Sequence, residues 1–217
     1  MKGDSEAAYF EKILRALREE AGGEAAVVQH RAPFMVLVST VLSARTRDEN
    51  TARASARLFA KFRTPREIAN AGTAELRRLI KPCGFYRTKA RNIKKLSREI
   101  LGRFGGKVPG RLEELITLPG VGRKTANCVL VYAFGKPAIP VDVHVHRVSN
   151  RIGLVKTRKP EETERALMAA VPRKYWIEIN NLMVKFGRKR CGPVRPRCEG
   201  CKIAEMCEYN KLSEAAG

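Results

Sequence analysis

Long apolar runs are missing from this chain, and so is any apolar segment near its start. No stretch approaches the roughly 18 consecutive apolar residues that a membrane-spanning helix needs. Residues 1–9 carry acids and lack the apolar core of a secretion signal. We therefore expect no membrane partner and a reducing, cytoplasmic location, close to the nucleoid if the source is prokaryotic.

Acidic residues are also scarce relative to basic ones. The 217 residues include 43 Lys and Arg against 22 Asp and Glu, a formal net charge of +21. A surface that serves only for solubility mixes the two signs, so this excess indicates a polyanionic partner, with nucleic acid first. A hydrophobic content of 44% argues against disorder, and the length suits two modest lobes.

The apolar residues recur with a helical period. Phe10, Ile13, Leu14 and Leu17 form one stripe, which ends at Gly22-Gly23. Asp48 is expected to cap a helix whose apolar stripe is Ala52, Ser55, Ala56 and Phe59. Thr64 is expected to form a capping box with Glu67, and Thr73 is expected to cap a short helix. Further helices are predicted over 34–42, 90–100, 123–132, 142–152, 160–170 and 176–186. The sequence thus predicts an all-α fold.

Four of the six cysteines lie together in a tail that lacks periodicity after residue 187. Cys191, Cys198, Cys201 and Cys207 have the spacing C-x6-C-x2-C-x5-C. Four thiolates so close in sequence can surround one metal centre, and both zinc and a 4Fe–4S cluster accept four. Structural zinc usually shows two close pairs, so the spacing favours iron–sulfur and leaves zinc open. A reducing location disfavours disulfides.

A glycine-rich turn, Leu-Pro-Gly-Val-Gly-Arg-Lys at 118–124, separates two predicted helices. Its glycines permit a tight turn and a close backbone approach. The amides of Gly120, Val121, Gly122 and Arg123, with the N-terminus of the next helix, then offer a phosphate site of the helix-hairpin-helix kind. The alternative is an ordinary helical turn.

Two residues near this turn are candidates for catalysis. Lys124 lies just inside the next helix, where a neutral amine can attack a sugar C1′ and form a Schiff base; the alternative is a phosphate-binding lysine. Asp142 can accept a proton or stabilise positive charge on the sugar; the alternative is a helix cap. His144 and His146 are expected to pack or to contact phosphate.

Taken together and in order, these motifs resemble the endonuclease III family, the helix-hairpin-helix DNA glycosylases with an iron–sulfur cluster. The resemblance covers about 34–209 and rests on LPGVGRKTAN at 118–127, VDVHVHR at 141–147 and the cysteine spacing. VLSARTRDE at 41–49 and GFYRTKA at 84–90 also match. It implies that Lys124 is the nucleophile, Asp142 the catalytic aspartate, and the four cysteines the ligands of a 4Fe–4S cluster.

The resemblance also implies an architecture of two helical lobes with the substrate groove between them. Residues 26–136 would form a six-helix barrel that contains the helix-hairpin-helix at about 112–134. Residues 1–25 would form a helix that packs with the other lobe, 137–217, and this lobe would carry the cluster loop at 191–207.

The implied activity is that of a bifunctional DNA glycosylase and AP lyase in base excision repair. It would act as a monomer on double-stranded DNA that contains oxidised or damaged pyrimidines or abasic sites. The damaged base would be flipped out, Lys124 would displace it, and β-elimination through an imine would cleave the strand. Expected DNA contacts also include His144, Arg147 and two basic groups: Arg87, Lys89, Arg91, Lys94 and Lys95, and Arg188, Lys189, Arg190, Arg195 and Arg197.

Arg45 departs from the family pattern, because relatives often have Gln in this segment, which fills the gap left by the flipped base. Arg45 can still fill that gap and donate hydrogen bonds, but the preference for the opposite base stays open. Two other functions remain alternatives. One is a monofunctional mismatch glycosylase, a class that lacks the lysine found here as Lys124. The other is a DNA-binding module without catalysis.

Overall fold

The computed structural model describes residues 2–22 and 32–215, without the side chains of residues 2–7 and 214. Every regular element in these ranges is helical, which confirms the predicted all-α class. The chain divides into two compact units, Met1–Ala26 with Pro137–Gly217, and Val27–Lys136. The predicted boundary between residues 25 and 26 and the predicted stop at Gly23 lie outside the described residues. No described helix is both long and apolar enough to cross a membrane.

In the unit Val27–Lys136, most of the other helices pack against either the second or the sixth helix of the chain. The second helix of the chain is apolar on nearly every side, as expected of a fully buried helix, and it packs against the third and eighth helices. The sixth helix packs against the fourth and fifth. The helices are α2 (Pro33–Ser43), α3 (Asp48–Lys61), α4 (Pro65–Asn70), α5 (Thr73–Leu79), α6 (Tyr86–Phe104), α7 (Leu112–Leu115) and α8 (Arg123–Phe134).

Helix starts in this unit match the predictions where a side chain makes the cap. Thr64 Oγ1 accepts a hydrogen bond from the Glu67 amide at 3.3 Å, and Glu67 Oε2 accepts one from the Thr64 amide at 2.8 Å, so the capping box is confirmed. Asp48 and Thr73 are not N-caps but the first residues inside α3 and α5. The N-cap residues of those two helices, Arg47 and Gly72, make no side-chain hydrogen bond that caps the helix.

The predicted apolar stripe of α3 is wrong in part. Ala52 and Ala56 are exposed, whereas the buried face consists of Ala54, Ser55, Leu58 and Phe59. A small alanine contributes little apolar area on either face, so the larger Leu58 and Phe59 decide which side of the helix is buried.

The other unit joins α1 (Lys2–Ala21) to the C-terminal part of the chain. Its core is formed by the predicted stripe of α1 together with apolar residues from the later helices, among them Val145, Val148, Leu167, Ile179 and Met183. These helices are α9 (Val143–Ile152), α10 (Pro160–Ala170), α11 (Trp176–Lys189) and α12 (Glu208–Glu214), with 3₁₀ turns at Arg173–Tyr175 and Ala204–Met206. Between Arg190 and Ile203 the chain has no regular element.

Candidate functional site

The turn between α7 and α8 is closed by its own backbone. The Leu118 amide donates to Leu115 O and the Val121 amide to Leu118 O, each at 3.1 Å. Gly120 has φ +80°, and a Cβ at this position would lie 2.6 Å from Asn92 Nδ2. Glycine is required here both for the left-handed backbone and for the close approach of α6.

The predicted phosphate-binding residues of the turn are not equivalent. Gly120 and Gly122 are exposed and Arg123 is half-buried. Val121 is only 6% exposed, and its amide already donates within the turn. Neither its side chain nor its amide therefore supports a phosphate contact. Gly122 is the N-cap of α8 and has no side chain to cap the first amides, which lack carbonyl partners within the helix.

Lys124 is exposed in the first turn of α8, while the helix residues from Thr125 to Val131 are buried. The side chain therefore extends from a rigid, anchored helix into solvent. An exposed amine on a fixed backbone can reach an electrophilic carbon of a bound ligand, as nucleophilic catalysis requires.

Asp142 is the N-cap of α9. Its Oδ1 accepts hydrogen bonds from the His144 amide at 2.8 Å and from the Val145 amide at 3.0 Å. The cap that the sequence allowed as an alternative is thus present. The other oxygen, Oδ2, accepts no hydrogen bond from the part of the chain that the structure describes. One carboxylate can therefore cap the helix with one oxygen and offer the second to a ligand.

The two histidines of α9 have different surroundings. His146 Nδ1 lies 2.6 Å from Thr163 Oγ1, in a network that includes Asn150, so its ring serves packing within this unit. His144 Nδ1 accepts from an Arg147 NH2 group at 3.1 Å. Burial lowers the pKa of His144, and Arg147 and Arg188 lower it further against the opposing charge of Asp142. His144 is therefore neutral near pH 7.

The four cysteines of the tail line one pocket, whose walls also include Ile152, Phe186 and Ile203. None of these four cysteines forms a disulfide, and all four are half-buried. Within residues 2–22 and 32–215, no group of three His, Cys, Asp or Glu side chains is arranged to hold a metal ion. All four predicted ligands nevertheless lie in the lining of one pocket, together with apolar side chains.

Comparison with known proteins identifies the family. Residues 38–173 match the family of HhH-GPD superfamily base excision DNA repair proteins. The chain is 56% identical over 177 residues to endonuclease III of Thermotoga maritima, covering 82% of this chain and 83% of that protein. It is 41% identical over 189 residues to endonuclease III of Bacillus subtilis, covering 87% and 86%.

The chain belongs to the endonuclease III family. Among solved structures it is similar to a trapped endonuclease III–DNA covalent intermediate, with a TM-score of 0.85 and 39% identity over 94% of this chain and 98% of the other. A thermostable thymine-DNA glycosylase has a TM-score of 0.83 at 26% identity, over 98% and 100% of the two chains.

In this endonuclease III family member, Arg147 holds α9 to the start of the cluster loop, residues 191–207. Its guanidinium donates to Cys191 O at 3.0 and 3.2 Å, to Gly187 O at 3.0 Å and to Val143 O at 3.3 Å. With the bond to His144, each of the three guanidinium nitrogens donates inside its own unit. The DNA contact of Arg147 stays a prediction. The observed hydrogen bonds give Arg147 a structural role.

Two further residues that hold the cluster loop were missed by the sequence analysis. Arg151 donates to Gly192 O at 2.6 Å and to Pro193 O at 2.9 Å, and its guanidinium lies 4.6 Å from the Tyr209 ring centre. Buried Glu20 of α1 accepts from Arg190 Nε at 3.0 Å.

Glu20 also accepts from the Lys202 amide, at 2.9 Å, so one carboxylate fixes both sides of the loop. Burial alone would raise its pKa, but the bonds from Lys202 and Arg190 outweigh burial and hold the pKa below its usual value. Glu20 is therefore ionised at neutral pH and binds the loop as a carboxylate.

The prediction of a basic face on α6 is wrong for two of its five residues. Lys89 is 6% exposed and donates to acceptors inside its unit, and half-buried Lys94 donates to Ala71 O at 2.6 Å. Only Arg87, Arg91 and Lys95 of that group are exposed. Arg45 is exposed as well, with its guanidinium 5.9 Å from the ring centre of Phe85.

Proposed function

We propose that this chain removes oxidised or damaged pyrimidines from double-stranded DNA and then cleaves the strand at the abasic site. It is a base excision repair DNA glycosylase and lyase of the endonuclease III family. The observation that carries the detailed proposal is Lys124, an exposed amine in the first turn of α8 directly after the glycine turn. A relative with 39% identity was trapped as a covalent intermediate with DNA, which supports a nucleophile in this chain as well.

Lys124 acts as the nucleophile. Its nitrogen forms a bond to the sugar C1′, the bond from C1′ to the damaged base breaks, and the base leaves with the electron pair and takes up a proton. The sugar ring then opens to an imine on Lys124. Loss of a C2′ proton and of the 3′ phosphate by β-elimination cleaves the strand on the 3′ side.

Asp142 supplies the carboxylate that this chemistry needs. Positive charge develops on the sugar as the base departs, and a carboxylate oxygen stabilises it or accepts a proton. The support is geometric, because Oδ1 is fixed by two amides of α9 and Oδ2 is left for a ligand. The same bonds that cap the helix therefore hold the carboxylate in place.

The cluster loop fits a 4Fe–4S cluster by the chemistry of its donors. Cys191, Cys198, Cys201 and Cys207 would hold it, because these four thiols are not in disulfides and line one pocket that also has an apolar wall. When bound, such a cluster cross-links the loop by four iron–thiolate bonds. Arg151 and Glu20 then fix the loop from outside.

Contacts with the DNA backbone are assigned to the exposed cations and to the turn. Gly120, Gly122 and Arg123 offer a phosphate site at the start of α8, and His144 lies in the first turn of α9. Arg45 is assigned to the gap left by the flipped base. Exposed basic side chains outside these sites supply the sequence-independent attraction that the net charge of +21 indicates.

Borohydride trapping tests the nucleophile. The protein is mixed with a duplex that contains one abasic site and is reduced during turnover; wild type is expected to become covalently linked to DNA, and Lys124→Ala is not. Binding of both proteins to an uncleavable abasic duplex serves as the control. A robust covalent link with Lys124→Ala would refute the assignment.

Neither alternative forms the borohydride link, so the two are separated on a duplex that still carries its lesion or mismatched base. A monofunctional mismatch glycosylase releases that base without nicking the strand, and a DNA-binding module does neither. Strand nicking on a panel of duplexes, each with one defined lesion, then identifies the substrate. Sedimentation of the free protein and of its DNA complex tests the expectation of a monomer.

A further inference from the structure

A buried lysine supports the loop that carries Arg45. Lys89 lies on α6 and is 6% exposed. Its Nζ donates to three oxygens of one short segment: Leu42 O at 2.8 Å, Ala44 O at 2.6 Å and Thr46 Oγ1 at 2.7 Å. An ammonium has three protons, so each has an acceptor. All three acceptors belong to the end of α2 and the connection to α3.

The same segment is joined to the turn before α6. Thr46 Oγ1 also accepts from the Gly84 amide at 3.1 Å. A Cβ at Gly84 would lie 2.8 Å from Arg45 O, so the two backbones touch. Arg45 has φ 50° and Phe85 has φ 56°, a conformation that residues with side chains rarely adopt. Strain of this kind persists only where the surroundings hold it, and it is frequent at functional sites.

The 42–46 segment and the turn before α6 together expose a cation beside an aromatic ring. Phe85 is 64% exposed, and the guanidinium of exposed Arg45 lies 5.9 Å from its ring centre. A single charged side chain on a mobile loop would lose much of its contact energy on ordering. A fixed backbone removes that cost before the ligand arrives.

We propose that Lys89 is a positioning residue, which holds the 42–46 segment in the conformation that places Arg45 for its contact with DNA. This rests on the DNA contact assigned to Arg45 above. Burying an ammonium is costly, and the cost is offset because carbonyls at the end of α2 lack helical partners and carry negative partial charge. A carbonyl acceptor at that end stabilises the ammonium in place.

Burial lowers the pKa of Lys89, and the nearby Cys83 thiol opposes that shift. The three oxygen acceptors require the protonated form, since a neutral amine has only two protons to donate. The geometry therefore describes a charged lysine that is used inside the unit and does not itself reach DNA.

The chain contains a matched control for Lys89→Met. Lys94 also lies on α6, and its Nζ donates to Ala71 O at the end of α4. Lys94→Met removes the same charge and also a bond to a carbonyl at a helix end, but it leaves the 42–46 segment untouched. Any effect that both variants share is therefore an effect of charge or of general stability.

Hydrogen exchange tests the support without DNA. The Thr46 amide donates to Ser43 O and the Gly84 amide to Thr46 Oγ1, so both report on the segment. We expect Lys89→Met to speed exchange of these two amides about 10-fold, and Lys94→Met to change it less than about twofold. Unchanged exchange in Lys89→Met would overturn the support.

Binding to an uncleavable abasic duplex tests the positioning. Arg45→Ala is expected to weaken binding about 10-fold in the wild-type background and less than about twofold in Lys89→Met, while the full loss persists in Lys94→Met. An equal loss in every background, or none in wild type, would overturn the proposal. If Lys89→Met does not fold, Thr46→Val, which removes one acceptor of Lys89, takes its place in both measurements. Exchange is then read at the amide of residue 46 alone, because the Gly84 amide loses its own acceptor in this variant.

Neither measurement requires turnover. A protein that shows coupling between Lys89 and Arg45 but forms no borohydride link would refute the proposed lyase and leave the positioning role intact. A protein that forms the link but shows no coupling would support the proposed lyase and refute the positioning role of Lys89.

Discussion

Asp142 combines a structural and a chemical task in one side chain, and two substitutions separate them. Asp142→Asn keeps an oxygen that can accept from the His144 and Val145 amides but removes the negative charge. Asp142→Ala removes both the oxygen and the charge. If the carboxylate takes part in the reaction, both variants lose activity. Only the alanine variant also loses the cap.

The expected losses of stability follow from the two hydrogen bonds of Oδ1, at 2.8 and 3.0 Å. Replacing an N-cap aspartate by alanine costs about 1 kcal/mol on average. With two amides left without their acceptor, we expect about 1.5 kcal/mol here. Asn is as good an N-cap as Asp, so Asp142→Asn should cost about 0.5 kcal/mol, mainly from lost attraction to the helix dipole. The midpoint of thermal unfolding should fall by about 4 °C for Ala and by about 1 °C for Asn.

The assay is single-turnover base release and strand nicking, measured alongside unfolding of the same preparations. Loss of an acid or base in catalysis costs about 100-fold to 10,000-fold in rate, and we expect both variants to fall in that range. Thr64→Ala, which removes the cap of α4, is the control, because it should cost about 1 kcal/mol of stability without slowing the reaction. An Asp142→Asn protein that nicks DNA at the wild-type rate would refute the chemical role.

Three other measurements test how the structure is held. Glu20→Gln should lower the free energy of unfolding by about 2 kcal/mol, because a buried carboxylate that accepts two bonds is lost. Glu178→Gln is the control. Glu178 forms an ion pair with Arg18, and because the two side chains are 36% and 50% exposed, its loss should cost under about 1 kcal/mol. Gly120→Ala should cost about 2 kcal/mol, from its φ of +80° and the approach of Asn92. An NMR titration should place the midpoint of His144 below 6.5, since burial lowers its pKa. The unfolded state then binds more protons, so His144 reduces stability as pH falls below 6.5, and His144→Gln should lose that dependence.

Local signals in the sequence predicted most of the helices. The stripe of α1 is buried, and the Thr64 capping box forms as expected, because both features depend on residues within two turns of one another. Asp48 and Thr73 failed as caps because a short polar residue is equally acceptable inside the first turn. The short helix Glu208–Glu214 lacked a periodic signal long enough to be read.

Interactions between distant residues could not be predicted. Lys89 and Arg151 donate to backbone carbonyls that lie 41 to 47 residues away along the chain. Every residue has a carbonyl, so nothing in the sequence identifies the one that a lysine or arginine will bind. For the same reason Lys89 was assigned to an exposed basic face. The pairing of Glu20 with Arg190 spans 170 residues and had no local signal.

These interactions change what the net charge of +21 means. A connection without regular structure lacks the hydrogen-bond ladder of a helix, so its carbonyls need other donors. Here basic side chains are the donors: Lys89 for the 42–46 segment, Arg147 and Arg151 for the cluster loop. A cation engaged in this way releases no counterion from DNA. The salt dependence of binding must therefore follow the exposed cations alone, because part of the positive charge holds the 42–46 segment and the cluster loop in place.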